Sequence, residues 1–158
     1  MKHLELRPAA RDDWPCLDNL MQFYLYELSQ WLVLKLGAQG LYPIQALDDY
    51  WRDPATRPWL ILVDGELAGF AVVDHQQCDS PTRCNLGYLF IARRFRRQGF
   101  GRRVAQQLLA STSGPWQLTH FDANLPAGAF WRALLADVSP ASIVAQGLPA
   151  TRYRWPEA

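Results

Sequence analysis

The sequence predicts an α/β fold in which helices interrupt a mixed sheet, and three observations carry that reading. WLILVDGELAGFAVVD joins two apolar runs at Asp64-Gly65, the strongest short signal for a hairpin. LGYLFIA, residues 86 to 92, is an apolar run of strand length with a helical apolar period following it. A longer helical period lies near the start, ahead of the hairpin.

Taken in order, Leu4 to Arg7 reads as a short strand. Asp12 or Asp13 then caps a helix that carries Pro15 in its first turn. Leu17, Leu20, Met21, Tyr24, Leu28 and Trp31 recur at helical spacing and give that helix one apolar face. Gly37 and Gly40 break it, and Ile44 to Trp51 reads as a second, shorter helix. After the hairpin and the buried strand, Arg102 to Ala110 is a helix with Val104, Ala105, Leu108 and Leu109 on one side, stopped by Gly114-Pro115. Trp116 to Phe121 is a strand and Pro126 to Ala136 a helix. Ser142 to Ala145 and Thr151 to Trp155 close the sheet.

With 158 residues, 49% of them hydrophobic, and seven tryptophans, the chain is sized for the core of one domain spanning residues 1–158. Cys16, Cys78 and Cys84 match neither a disulfide framework nor a metal-ligand spacing, which points to a reducing compartment. His3, His75 and His120 also lack metal spacing, and no metal is expected. The first residues lack the charged-then-apolar form of a signal peptide, and no apolar run approaches the roughly 20 residues of a membrane span. A cytoplasmic protein with no membrane partner is expected.

The stretch RRFRRQGFGRR, residues 93 to 103, concentrates six arginines and two glycines without an acidic residue. The whole chain has 16 basic and 15 acidic residues, so removing those six leaves ten basic against 15 acidic. A general nucleic-acid binder spreads positive charge over a broad face, because its affinity comes from many phosphates. The local charge here favours a small anion and no nucleic-acid partner, with a short RNA contact or a solvated helix face as the alternatives. The stretch joins a buried strand to the first turn of a helix, where backbone N–H groups lack partners and the dipole is positive. Gly99 and Gly101 let the backbone approach a ligand, so successive N–H groups can form an anion nest. The GK[ST] ending of a nucleotide P-loop and the third glycine of a dinucleotide fingerprint are absent.

Arg96-Arg97-Gln98-Gly99-Phe100-Gly101 resembles the [QR]-x-x-G-x-[GA] signature of the GNAT (Gcn5-related) N-acetyltransferases, placed between a strand and a helix as in that family. Asn124, Ala127, Phe130 and Trp131 resemble its downstream N-x-x-A-x-x-[FY]-[YW] segment, and the element order matches from Leu4 to Trp155. A YLYEL-like first helix and an FWR segment are similar to a bacterial subgroup.

The resemblance implies a central mixed, largely antiparallel sheet, splayed at an acetyl-CoA site and flanked by helices. The cofactor loop would comprise Arg96, Arg97, Gln98, Gly99, Phe100, Gly101, Arg102 and Arg103, with pyrophosphate on the amides of Arg97 to Arg102. Pantetheine would pair with Phe90, Ile91 and Ala92. Asn124 would reach its arm, with Phe130 and Trp131 beside the thioester. Asn124 also reads as a helix cap, and Phe130 and Trp131 as core.

The implied activity is direct transfer of an acetyl group to the amine of a small acceptor. A non-catalytic acyl-CoA-binding protein is the alternative, and a homodimer is the assembly left open. An alkylamine has a pKa of about 10.4 and must lose a proton before it attacks. Many family members use a glutamate on the fourth strand. This chain has no acidic residue between Asp79 and Asp122, and Asn85 and Tyr88 occupy the expected positions. Trp131 replaces the tyrosine that often protonates the leaving thiolate. Tyr88, Glu27 and His120 are the catalytic candidates, with Asp74 and His75 as further bases. For the acceptor, Tyr24, Glu27 and Trp31 lead, joined by Tyr26, Tyr50 and Trp51 with Asp48 and Asp49 near them. Aromatic faces with carboxylates suit a cationic amine; packing of Tyr24 and Trp31 against the sheet is the other reading.

Overall fold

The computed structural model describes residues 1–44, 47–112 and 114–156. The chain runs β1 (Leu4–Pro8), α1 (Trp14–Leu28), α2 (Leu47–Arg52), β2 (Arg57–Val63), β3 (Glu66–Asp74), β4 (Cys84–Ile91), α3 (Phe100–Ala110), β5 (Trp116–Phe121), α4 (Leu125–Leu134), β6 (Ala141–Ala145) and β7 (Leu148–Trp155). Among the described residues there is one seven-stranded sheet in the order β1-β2-β3-β4-β5-β7-β6. All neighbours are antiparallel except β4 and β5.

Side chains alternate across β2 and β3, so one run of apolar residues feeds two cores. Leu60, Phe70 and Val72 meet Leu17, Leu20 and Met21 of α1 on one face. Ile61, Val63, Ala71 and Val73 meet Val104, Ala105 and Leu108 of α3, with Trp131 of α4, on the other. A fully buried leucine such as Leu17 contributes about 1.5–3 kcal/mol over an exposed one. The hairpin turns as expected, with Asp64 at φ 50° and Gly65 at φ 79°.

Local differences have physical reasons. Asp13 directs its carboxylate back to the Ala10 backbone N–H at 2.9 Å, so its side chain does not cap α1. The helix closes at Leu28 and Trp31 sits in the turn beyond it, since the Ser29 hydroxyl and the amides of Ser29 to Leu32 take over the last carbonyls. Among the described residues the second helix is Leu47–Arg52 and Ile44 is not helical; residues 45 and 46 of that reading lie outside those described. α3 begins two residues before Arg102, because Gly99 in left-handed backbone (φ 81°) starts the helix at Phe100. α4 stops at Leu134.

Candidate active site

The sheet opens in its middle. β4 pairs with β5 only at Cys84–Trp116 and Asn85–Gln117, whereas on its other side it stays paired with β3 to Ile91. The register with β3 passes from Val73↔Leu86 to Val72↔Tyr88, leaving Gly87 as a bulge. A bulge bends its strand and adds twist, and here it sits where β4 leaves β5. The gap is the floor of a cleft of about 1050 Å³.

One end of the cleft is the arginine loop. Arg97 (φ 60°) and Gly99 (φ 81°) both take left-handed backbone, turning the chain into α3. The N–H groups of Arg97 to Arg102 have no hydrogen-bond acceptor among the described residues. Nothing lies within 4 Å of where a β carbon on Gly99 would stand. Free amides in series at a helix start are an arrangement suited to binding an anion.

The six arginines divide. Arg93 Nε donates to Glu27 Oε1 at 2.8 Å, and Arg94 holds Glu66 at 2.8 Å. Arg96 lies 3.4 Å from Glu27 and donates from Nε to the Ile91 carbonyl at 2.7 Å. Arg97, Arg102 and Arg103 form no salt bridge among the described residues. Of these three, Arg97 and Arg102 line the cleft.

The walls carry most of the residues singled out in the sequence. Phe90, Ile91, Asn124, Phe130 and Trp131 line the cleft, as do Tyr24, Glu27, Trp31, Tyr88 and His120. Asn124 caps α4, its side-chain oxygen accepting from the Ala127 N–H at 3.2 Å, and the same residue lines the cleft. Trp131 is buried at the cleft floor and belongs to the core. Asp48 and Asp49 do not join the site: both are exposed, and Asp48 faces a separate shallow pocket with Asp18 and Gln22.

The structure also separates the proton-transfer candidates. Burial pushes the Glu27 carboxyl up, but Arg93 and Arg96 outweigh it and hold Glu27 below its ordinary value. That makes it a structural anion and a weak base. Burial pushes the Tyr88 phenol up, and the Asp74 charge adds to it. The His120 ring lies tilted 6.2 Å from that of Tyr153, with its Nδ1 at 3.2 Å from the Phe121 carbonyl. A polar chain goes beyond the sequence reading. Asp74 accepts from Tyr50 and from Asn85, Asn85 from Gln117, and Gln117 from Arg154. The register of Asp74 opposite Asn85 depends on the 75–83 loop and the Gly87 bulge, and sequence spacing does not give the resulting pairing.

The sequence model of the acetyltransferase (GNAT) family matches residues 19–135. The chain belongs to the GNAT acetyltransferase family. An acetyltransferase from Thermus thermophilus is similar in structure, with a TM-score of 0.72 and 20% identity over 98% of this chain and 97% of that one. A ribosomal alpha-N-protein acetyltransferase in complex with coenzyme A has a TM-score of 0.67 at 18% identity, covering 96% and 92%. A dodecameric spermidine N-acetyltransferase from Vibrio cholerae gives 0.60 at 15%, covering 96% and 92%. A comparison with curated protein sequences found no match.

GNAT proteins use acetyl-CoA, and the residues here fit it: free amides suit a diphosphate, and the unpaired edge of β4 suits a pantetheine arm. The Ile91 carbonyl is the exception, since the Arg96 guanidinium already occupies it. Among the described residues no helix is long and apolar enough to cross a membrane.

Proposed function

We propose that this GNAT acetyltransferase is one domain that moves the acetyl group of acetyl-CoA directly to the amine of a small acceptor. The observation that carries the reading is the meeting of two features: free N–H groups at the start of α3, and the departure of β4 from β5 after Asn85. The first suits the diphosphate of coenzyme A, which would rest on residues 97 to 102 between the side chains of Arg97 and Arg102. The second suits pantetheine along Phe90 to Ala92, with Asn124 toward its arm and Phe130 and Trp131 beside the thioester. The aromatic and acidic wall at the opposite end suits an amine, in keeping with the family's chemistry.

The attacking nitrogen must be neutral, and the thiolate must leave. A thiol pKa of about 8.5 lets it depart without a strong acid, so Trp131 in place of a tyrosine does not stop the reaction. The test is release of coenzyme A thiol from acetyl-CoA over a panel of primary amines, alongside thermal unfolding. Acetyl-CoA at 100 times its dissociation constant adds about 2.7 kcal/mol, a rise of roughly 5–10 °C for a domain of this size. Turnover with at least one amine is expected. Absence of both the shift and the turnover would overturn the reading.

A further inference from the structure

A carboxylate stands at the amine end of the cleft without a basic partner. Asp74, the last residue of β3, is 2% exposed. It accepts from Asn85 Nδ2 at 2.8 Å, from the Gln76 N–H at 3.0 Å and from the Tyr50 hydroxyl. No salt bridge among the described residues includes it. Buried carboxylates normally stand beside a cation, because desolvation is otherwise poorly offset.

The donors around Asp74 orient it without neutralising it. Asn85 Oδ1 accepts from Gln117 Nε2 at 3.2 Å, and Gln117 Oε1 accepts from Arg154 Nε at 2.8 Å. Each amide in that chain is therefore fixed in direction, and Asn85 must turn its NH2 to Asp74. On the cleft side the Tyr50 ring lies 6.1 Å from that of Tyr88, which meets Tyr24 edge-on at 5.1 Å. Burial raises the Tyr50 phenol well above its ordinary value, and the Asp74 charge and hydrogen bond add to it. Tyr50 thus keeps its proton, donates it in the hydrogen bond to Asp74 and leaves its oxygen lone pairs as acceptors.

We propose that Tyr50 and Asp74 together form the acceptor site of the cleft, and that the acceptor is a primary alkylamine whose carbons lie on the Tyr24 and Tyr88 rings. This rests on the acetyl-transfer reading above. The Tyr50 oxygen accepts an N–H of the amine, and Asp74 behind it stabilises the positive charge that grows on nitrogen as the C–N bond forms. One proton passes from nitrogen to the Tyr50 oxygen while the Tyr50 proton passes to Asp74. The carbonyl re-forms and the C–S bond breaks with its electron pair on sulfur. The thiolate then takes a proton from water and Asp74 returns its own, so amine and thioester give amide and thiol.

The test uses D74N and Y50F in the full chain with acetyl-CoA and a panel of primary alkylamines. Asparagine keeps the shape of Asp74: its oxygen can still accept from Asn85 and Gln76, and its NH2 can donate to Tyr50. A merely structural role would survive that change. We expect kcat/KM for alkylamines to fall by about 10² or more in D74N, with the KM for acetyl-CoA and the acetyl-CoA thermal shift unchanged. Y50F should show the same pattern, and the double variant should be no worse than the poorer single one, as expected for groups acting as a unit. Should D74N not fold, Y50F carries the test alone, since it removes one hydroxyl and leaves the ring. Folded variants within threefold of the parent would overturn the inference while leaving acetyl transfer intact. A parent protein that binds acetyl-CoA but acetylates no amine would overturn both.

Discussion

The carboxylate of Asp74 fills the space that a side chain on Gly87 would need: its Oδ2 lies 2.6 Å from the position of a β carbon there. The bulge in β4 and the placing of Asp74 are therefore one construction. Asp74 has little freedom to yield, being held by Tyr50, Asn85 and the Gln76 amide. G87A should cost about 1–3 kcal/mol through overpacking, read as a lower melting temperature. It should also cut amine turnover more than tenfold while acetyl-CoA still stabilises the protein. Full turnover in G87A would separate the bulge from the chemistry.

Glu27 has the opposite character, because Arg93 at 2.8 Å and Arg96 at 3.4 Å hold it as an anion. Its folded pKa is lowered, so its contribution is fully present above the ordinary glutamate value of about 4.3. That contribution is lost as pH falls through the lower folded value. E27Q should lose about 0.5–1 kcal/mol at pH 7, as for a pair whose arginine side is solvent-exposed and screened, and the difference from the parent should shrink below pH 4. Unfolding curves at pH 7 and below 4 give the comparison. Turnover in E27Q should stay within tenfold, since a paired anion is a poor base.

Much of this architecture was legible because local signals and long-range packing agree. The Asp64-Gly65 turn fixes the hairpin, and Trp116 to Phe121 is a strand over the range its apolar pattern gives. The glycine turn between β4 and α3 was legible too, since Gly99 takes the left-handed backbone that opens the helix. The acceptor end was not. Asp48 and Asp49 sit two and one residues before Tyr50, yet α2 turns them outward while Tyr50 reaches Asp74. Sequence spacing cannot give the rotation of a six-residue helix. Nor can it show that Glu27 meets arginines 66 and 69 residues away, which depends on how α1 crosses the sheet.

The division among the arginines gives a third expectation. Arg94 is held by Glu66 on the surface, whereas Arg97 and Arg102 line the cleft without carboxylate partners. R97A or R102A should weaken coenzyme A binding about tenfold and flatten its salt dependence, as loss of a phosphate contact does. R94A should leave both unchanged. Calorimetric titration at two salt concentrations measures this, and equal losses in all three would mean that only overall charge matters.

Gly99 isolates the backbone contribution. At φ 81° a valine there is strained by roughly 1–3 kcal/mol, and its side chain would project into open space where the ligand is expected. G99V should remain folded, with coenzyme A affinity reduced at least tenfold in the same titration. Unchanged affinity in folded G99V would move the phosphate site away from this loop.

A crystal structure of the protein with coenzyme A tests the central claim most directly. The diphosphate oxygens should accept hydrogen bonds from backbone N–H groups within residues 97 to 102, and pantetheine should lie in the gap where β4 leaves β5 beyond Asn85. Coenzyme A seated anywhere else on the protein, with that gap and those amides untouched, would contradict the account.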